Sequence, residues 1–180
     1  TEDDKKKGLT EKSPEWRNRF AANGLAGISK ATPSPFYTKK NAGMIRIGNF
    51  DDNLVWLKDV DWVIEVVIEN LKIKQELFAR VEKVVGANCI VTTNTSGIPI
   101  KDITAKLGAK FKERFLGTHF FNPPRYMKLL EIIPGQETKP DVVAFMTRFC
   151  EQVLGKGVVI CKDVPNFIGN RIGTFDISNA

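Results

Sequence analysis

The chain has 180 residues, 42% of them apolar and 27% charged, and a formal net charge of +6. This composition is that of a folded globular domain and excludes disordered, fibrous and collagenous classes. No apolar run approaches the roughly 18–20 residues of a membrane span, and residues 1–7 (TEDDKKK) lack the apolar stretch of a signal peptide. The first 40 residues hold nine Lys/Arg against five Asp/Glu, so most of the charge excess lies at that end. It fits a solvated face or an anionic ligand such as a phosphate; acids interleaved with the lysines, and no aromatic RNA-binding motif, exclude nucleic acid as the expected partner. Three widely spaced cysteines, Cys89, Cys150 and Cys161, and a single histidine, His119, argue against a disulfide framework or a zinc site and for a reducing, cytoplasmic compartment. The chain lacks an initiator Met and reads as a fragment or a processed form.

Residues 1–30 are charged and without strand patterning. Trp16 and Phe20, with Leu9, offer a thin helical stripe that Pro14 and Gly24 limit. Thr32-Pro33-Ser34-Pro35 reads as a loop, and at residue 44 the chain changes character. Met44–Gly48 is a strand candidate, and Asp51-Asp52-Asn53 can cap a short helix over 54–58. The β-branched run 61–68 predicts a strand buried on both faces. Leu71, Leu77, Phe78, Val81, Val84 and Val85 predict a helix over 70–85, stopped by Gly86. Strands are expected at 88–93, 115–121, 126–133 and 157–160. Helices are expected at 99–107, opened by Pro99, at 139–154, ended by Gly155, and from Phe167 onward. This alternation predicts an α/β fold with a mostly parallel sheet, in which ligands bind beyond the carboxyl ends of the strands.

Three polar clusters fall at those ends: Glu69-Asn70, Thr93 to Gly97, and His119 to Pro124. If Asn122-Pro123-Pro124-Arg125 reverses the chain about Arg125, position 119 pairs with 131, which is Glu131. A carboxylate beside an imidazole fixes its tautomer and strengthens it as a general base, although a core His–Glu pair serving only packing has the same pattern. Ser96 can hydrogen-bond a substrate oxygen, or Thr95 or Ser96 can simply cap the next helix. Glu69 also reads as a first-turn helix acid, and Lys74 as a solvated helix lysine. No Gly-rich phosphate loop is present; Gly24-Leu25-Ala26-Gly27 gives only G-x-x-G with no strand before it.

Five motifs in order, VIENLKIKQELF (67–78), NTS (94–96), HFFNP (119–123), MKLLEII (127–133) and NFIGNRI (166–172), resemble the NAD-binding domain of L-3-hydroxyacyl-CoA dehydrogenases, most closely the long bacterial fatty-oxidation enzymes. The resemblance implies a Rossmann-like, mostly parallel sheet flanked by helices, lacking its first βα unit, with the start of an all-helical C-terminal domain. It divides the chain into a charged helical and loop segment at 1–43, the Rossmann-like core at 44–162, and a linker with the start of the helical domain at 163–180.

It further implies NAD-dependent oxidation of (3S)-3-hydroxyacyl-CoA to 3-ketoacyl-CoA in fatty-acid β-oxidation. His119 is the implied general base and Glu131 its orienting partner. Ser96 bonds the reacting oxygen near the nicotinamide, Asn170 is a substrate-side group, and Glu69, Lys74 and Asn122, with Ser96, contact NAD. An acyl-CoA substrate follows, with a parent that is a homodimer or part of a multifunctional β-oxidation complex, and a fragment inactive by itself. The alternatives are a related 3-hydroxy-acid dehydrogenase that does not use CoA, and a non-catalytic binding module of the same ancestry.

Overall fold

The computed structural model of the chain describes Lys6 and residues 8–178. They fall into two compact units, one ending at Val55 and the other beginning at Trp56.

The first unit holds helices α1 (Pro14–Arg17) and α2 (Arg19–Lys30) and a 3-10 helix, Lys39–Met44. Gly24 does not limit α2, which runs through it; a helical Gly costs only about 1 kcal/mol relative to Ala. Leu9 lies outside the helices. Arg17 pairs with Asp52 at 2.7 Å, and Asn49 donates to Asn18 at 2.8 Å, tying the 49–52 turn to the helix junction. The expected strand at Met44–Gly48 does not form. Met44 closes the 3-10 helix, and no strand exists among the described residues of this unit to pair with the segment that follows.

The second unit is built on five strands in the order β1 (Trp62–Glu65), β2 (Ile90–Thr93), β3 (Phe115–Phe120), β4 (Leu129–Pro134) and β5 (Gly157–Ile160). β1, β2 and β3 run parallel, β4 returns antiparallel to β3, and β5 is parallel to β4. The sheet is therefore mostly parallel, with one antiparallel joint. Strand β1 corrects an expectation. It is an edge strand, with Ile64 42% exposed and Glu65 buried, rather than a strand covered on both faces.

Helix α3 (Leu71–Val81) starts on an Asn70 cap, whose Oδ1 accepts from the Ile73 amide at 3.1 Å. It ends at Val81, four residues short of the expected 85, where the Val81 carbonyl is shared by the Val84 and Val85 amides and the last turn tightens toward a 3-10 form. Of the expected helix over 99–107 only one turn forms, α4 (Ile100–Ile103), and a second single turn, α5 (Ala109–Lys112), lies beyond its end. At the end of the first, the Thr104 amide and hydroxyl both donate to the Ile100 carbonyl. β4 starts at Leu129 rather than Tyr126, because the Tyr126 and Met127 amides close a turn on the Pro123 carbonyl. Helix α6 (Pro140–Gln152) begins with a proline and falls inside the expected 139–154. Helix α7 (Gly169–Ser178) begins two positions after Phe167, since Asn166 and Phe167 both adopt left-handed φ, at 63° and 45°.

Side chains alternate across the sheet, so each strand feeds two cores. Leu116, Leu130 and Ile132 pack against Met146 and Cys150 of α6, with Trp62 edge-on to Phe149. On the other face Phe115 meets Phe78 edge-to-face at 4.8 Å, beside Phe111. Burying one such side chain contributes about 1.5–3 kcal/mol. His119 and Glu131 project on this second face, beyond its apolar part.

Candidate active site

The reversal about residue 125 puts His119 directly across the ladder from Glu131, in the register expected from the sequence. Their side chains meet in the sheet rather than in a loop. His119 Nδ1 lies 2.7 Å from Glu131 Oε2, and both residues are buried. Glu131 Oε1 accepts from the Gly169 amide at 2.7 Å and the Ile168 amide at 3.0 Å, and the Cys161 thiol lies 3.5 Å away. Burial pushes the Glu131 carboxyl up, but these donors more than offset it and hold the group below the usual carboxylate range. The carboxylate therefore stays charged, fixes the Nδ1–H tautomer and leaves Nε2 as the basic nitrogen. The Cys161 thiol, beside that negative charge and buried, is pushed up to about 12 and stays protonated.

The ring of His119 is held by Phe121, with centroids 4.5 Å apart, and by the buried Phe167 at 6.0 Å. Gly169 lets α7 approach this cluster: a Cβ there would sit 2.8 Å from the Phe121 ring. The same approach delivers Asn170, whose Nδ2 donates to the Ser96 carbonyl at 2.8 Å. Ser96, His119, Glu131 and Asn170 thus belong to one connected cluster.

The ends of β1, β2 and β3 share a rim. Glu69 Oε1 accepts from the Thr95 hydroxyl at 2.6 Å and the Ser96 and Gly97 amides at 2.9 and 3.2 Å. Asn94 Oδ1 accepts from the Phe120 amide at 2.9 Å, stitching β2's end to β3. Neither Thr95 nor Ser96 caps α4. Asp163 does, accepting from the Ile100 amide at 2.5 Å and the Lys101 amide at 2.9 Å. Glu69 is no simple first-turn acid either, since it clasps the loop after β2. Burial raises its carboxyl, and the Thr95 and Ser96 bonds and the charge of Lys74 bring it below its ordinary value.

Lys74 departs most from its reading as a solvated lysine. Its side chain is 1% exposed, and its Nζ lies 2.9 Å from Glu65 Oε1 and 3.4 Å from Glu69 Oε2. It faces two carboxylates rather than the rim. Asn122 is exposed just beyond the end of β3. The residues missed from the sequence are Glu65, Asn94, Asp163 and Phe167; a glutamate inside an apolar strand was the one legible signal among them.

The description "3-hydroxyacyl-CoA dehydrogenase, NAD binding domain" matches residues 8–164. The chain belongs to this family. A Bacillus subtilis relative named "Probable 3-hydroxyacyl-CoA dehydrogenase" is 50% identical over 177 residues, 98% of this chain and 22% of its own length. The "Fatty acid oxidation complex subunit alpha" of Idiomarina loihiensis is 42% identical over 116 residues, 64% of this chain and 16% of its own length. Among solved structures, the (S)-3-hydroxybutyryl-CoA dehydrogenase of Ralstonia eutropha superposes with a TM-score of 0.71 at 30% identity, covering 94% of this chain and 58% of that one. The chain thus spans well under half the length of these two curated family members. No helix among the described residues is long and apolar enough to cross a membrane.

Proposed function

We propose that the enzyme containing this chain oxidises (3S)-3-hydroxyacyl-CoA to 3-ketoacyl-CoA with NAD, reversibly, as a step of fatty-acid β-oxidation. The observation that carries this reading is the buried His119–Glu131 pair, joined through Gly169 to Asn170 and through Asn170 to Ser96. An alcohol cannot lose hydride from carbon without losing its hydroxyl proton, so a base must reach that oxygen. His119 takes the proton at Nε2, and the Glu131 carboxylate stabilises the imidazolium that results. Ser96 and Asn170 orient the reacting oxygen and the acyl group.

The rim chemistry fits a dinucleotide. Dinucleotides lie beyond the carboxyl ends of parallel strands in such sheets, and the ends of β1, β2 and β3 present Glu69, Ser96 and Asn122 there. In this reading these three hold NAD, and Lys74 contributes through Glu69. When bound, NAD supplies the hydride acceptor.

The names of the relatives support an acyl-CoA substrate and a parent within a multifunctional β-oxidation assembly, while a homodimeric parent rests on the sequence resemblance alone. Buried, free cysteines suit a reducing compartment, the cytoplasm. The test is a substrate panel on the full-length enzyme, followed by NADH formation at 340 nm. Turnover of 3-hydroxyacyl-CoA esters, with none of the corresponding free 3-hydroxy acids, is expected. Equal turnover of both would refute the CoA assignment.

A further inference from the structure

We propose that Glu65 is a positioning residue for the Ser96 loop, acting through Lys74 and Glu69. Its effect on turnover rests on the dehydrogenase reading above; its effect on the loop does not.

Three alternating charges run outward from the end of β1. Glu65 and Lys74 are both buried, and Glu69 is 42% exposed. Burying a carboxylate and an ammonium is costly, and a pair persists only where further bonds satisfy both. Here they do. Glu65 Oε1 accepts from Lys74 at 2.9 Å and from the Val67 amide at 2.5 Å. Its Oε2 accepts from the Thr93 hydroxyl at 2.5 Å and again from Lys74 at 3.1 Å. The carboxylate is saturated by the loop after β1, by β2 and by α3 together, so it is as fixed as the sheet.

Lys74 inherits that fixity and passes it on. Its ammonium also bonds the Val67 carbonyl at 3.3 Å and reaches Glu69 Oε2 at 3.4 Å. Glu69 is thereby divided: Oε2 faces the buried cation, and Oε1 gathers Thr95, Ser96 and Gly97. The charge of Lys74, fixed in place by Glu65, in turn helps hold Glu69 as a carboxylate beside the loop. Neutralising Glu65 leaves a buried ammonium with one half-exposed partner. That ammonium is drawn outward toward Glu69 and water, Glu69 shifts with it, and Oε1 loses its alignment on the loop amides.

The experiment uses the full-length enzyme, free of cofactor, and its E65Q variant. Hydrogen exchange by mass spectrometry, resolved to residues 94–98, reads the Ser96 and Gly97 amides directly. Exchange about tenfold faster in E65Q is expected, the factor given by about 1.4 kcal/mol. The same variant should lose about tenfold in kcat, because Ser96 is displaced together with Asn170, which is bonded to its carbonyl. If E65Q fails to fold, E65Q/K74M replaces the ion pair with a neutral pair of similar shape. Its fold should be restored while the loop still exchanges fast, because Glu69 has lost its cation. Wild-type exchange in folded E65Q or in the double variant overturns the proposal. Fast exchange with unchanged kcat refutes instead the role of Ser96 in the reaction, so the two failures are told apart.

Discussion

Glu131→Gln removes one charge and leaves the shape of the side chain. In the structure the carboxylate has two separate duties, His119 on Oε2 and the Ile168 and Gly169 amides on Oε1. A glutamine has one acceptor oxygen. Two backbone N–H groups at 3.0 and 2.7 Å can be served only by that oxygen, so its NH2 must face His119 Nδ1. Nδ1 then becomes an acceptor, the ring proton moves to Nε2, and the nitrogen meant to take the substrate proton already carries one. An imidazole locked in the wrong tautomer behaves nearly as a deleted base, so kcat should fall about 10²–10⁴-fold, or about 2.7–5.5 kcal/mol of barrier. The stability cost is smaller, about 1–3 kcal/mol, because the amide oxygen keeps the start of α7 in place. The assay is kcat and the KM for NAD of the full-length E131Q enzyme across pH, with thermal melts showing that it stays folded. A kcat within about threefold of wild type would refute the tautomer reasoning.

Replacing His119 by Gln should lower kcat about 10²–10⁴-fold with little change in NAD affinity. The H119Q/E131Q double variant should lose much less than the product of the single losses, and multiplicative losses in a double-mutant cycle would show two independent groups. Gly97→Ala brings a Cβ against Asn166 Oδ1, so the Asn166 side-chain amide must turn away while its backbone stays at ordinary contact distance; a loss of about 1 kcal/mol or less in stability is expected from denaturation measurements. Glu131 and Glu69 titrate below their ordinary 4.5 in the folded state, so the unfolded chain takes up protons first as pH falls. Their contribution is fully present above the ordinary carboxylate range and is lost on acidification through the depressed folded values. Tm should therefore drop below about pH 5, less steeply in E131Q, and a flat Tm in that range would contradict it.

The His–Glu register was legible in the sequence because the chain reverses about Arg125, and the pairing held although β4 starts only at Leu129, since the connection is symmetric about that residue. The rim was legible because parallel neighbours bring their carboxyl ends together. The expectations that failed rested on local pattern where a distant group decides. Asp163, more than sixty positions away, caps the first turn of α4. Lys74 has the spacing of an exposed helix lysine, yet Glu65 draws it into the sheet. The run 61–68 looks doubly buried because its apolar residues are continuous, but whether a face is covered depends on what packs on it, and Ile64, Val66 and Ile68 are left exposed. The left-handed turn at Asn166 and Phe167 gave no glycine to announce it.

The hairpin that joins His119 to Glu131 also sets the relative cost of two chain closures. The two residues are 12 positions apart, whereas the bond from Asn170 to Ser96 closes a loop of 74. Closing the longer loop costs about 1.6 kcal/mol more chain entropy. The His119–Glu131 contact is therefore held by the local geometry of one ladder, whereas the Asn170–Ser96 contact rests on the seating of α7, and any change that loosens α7 is felt at Ser96.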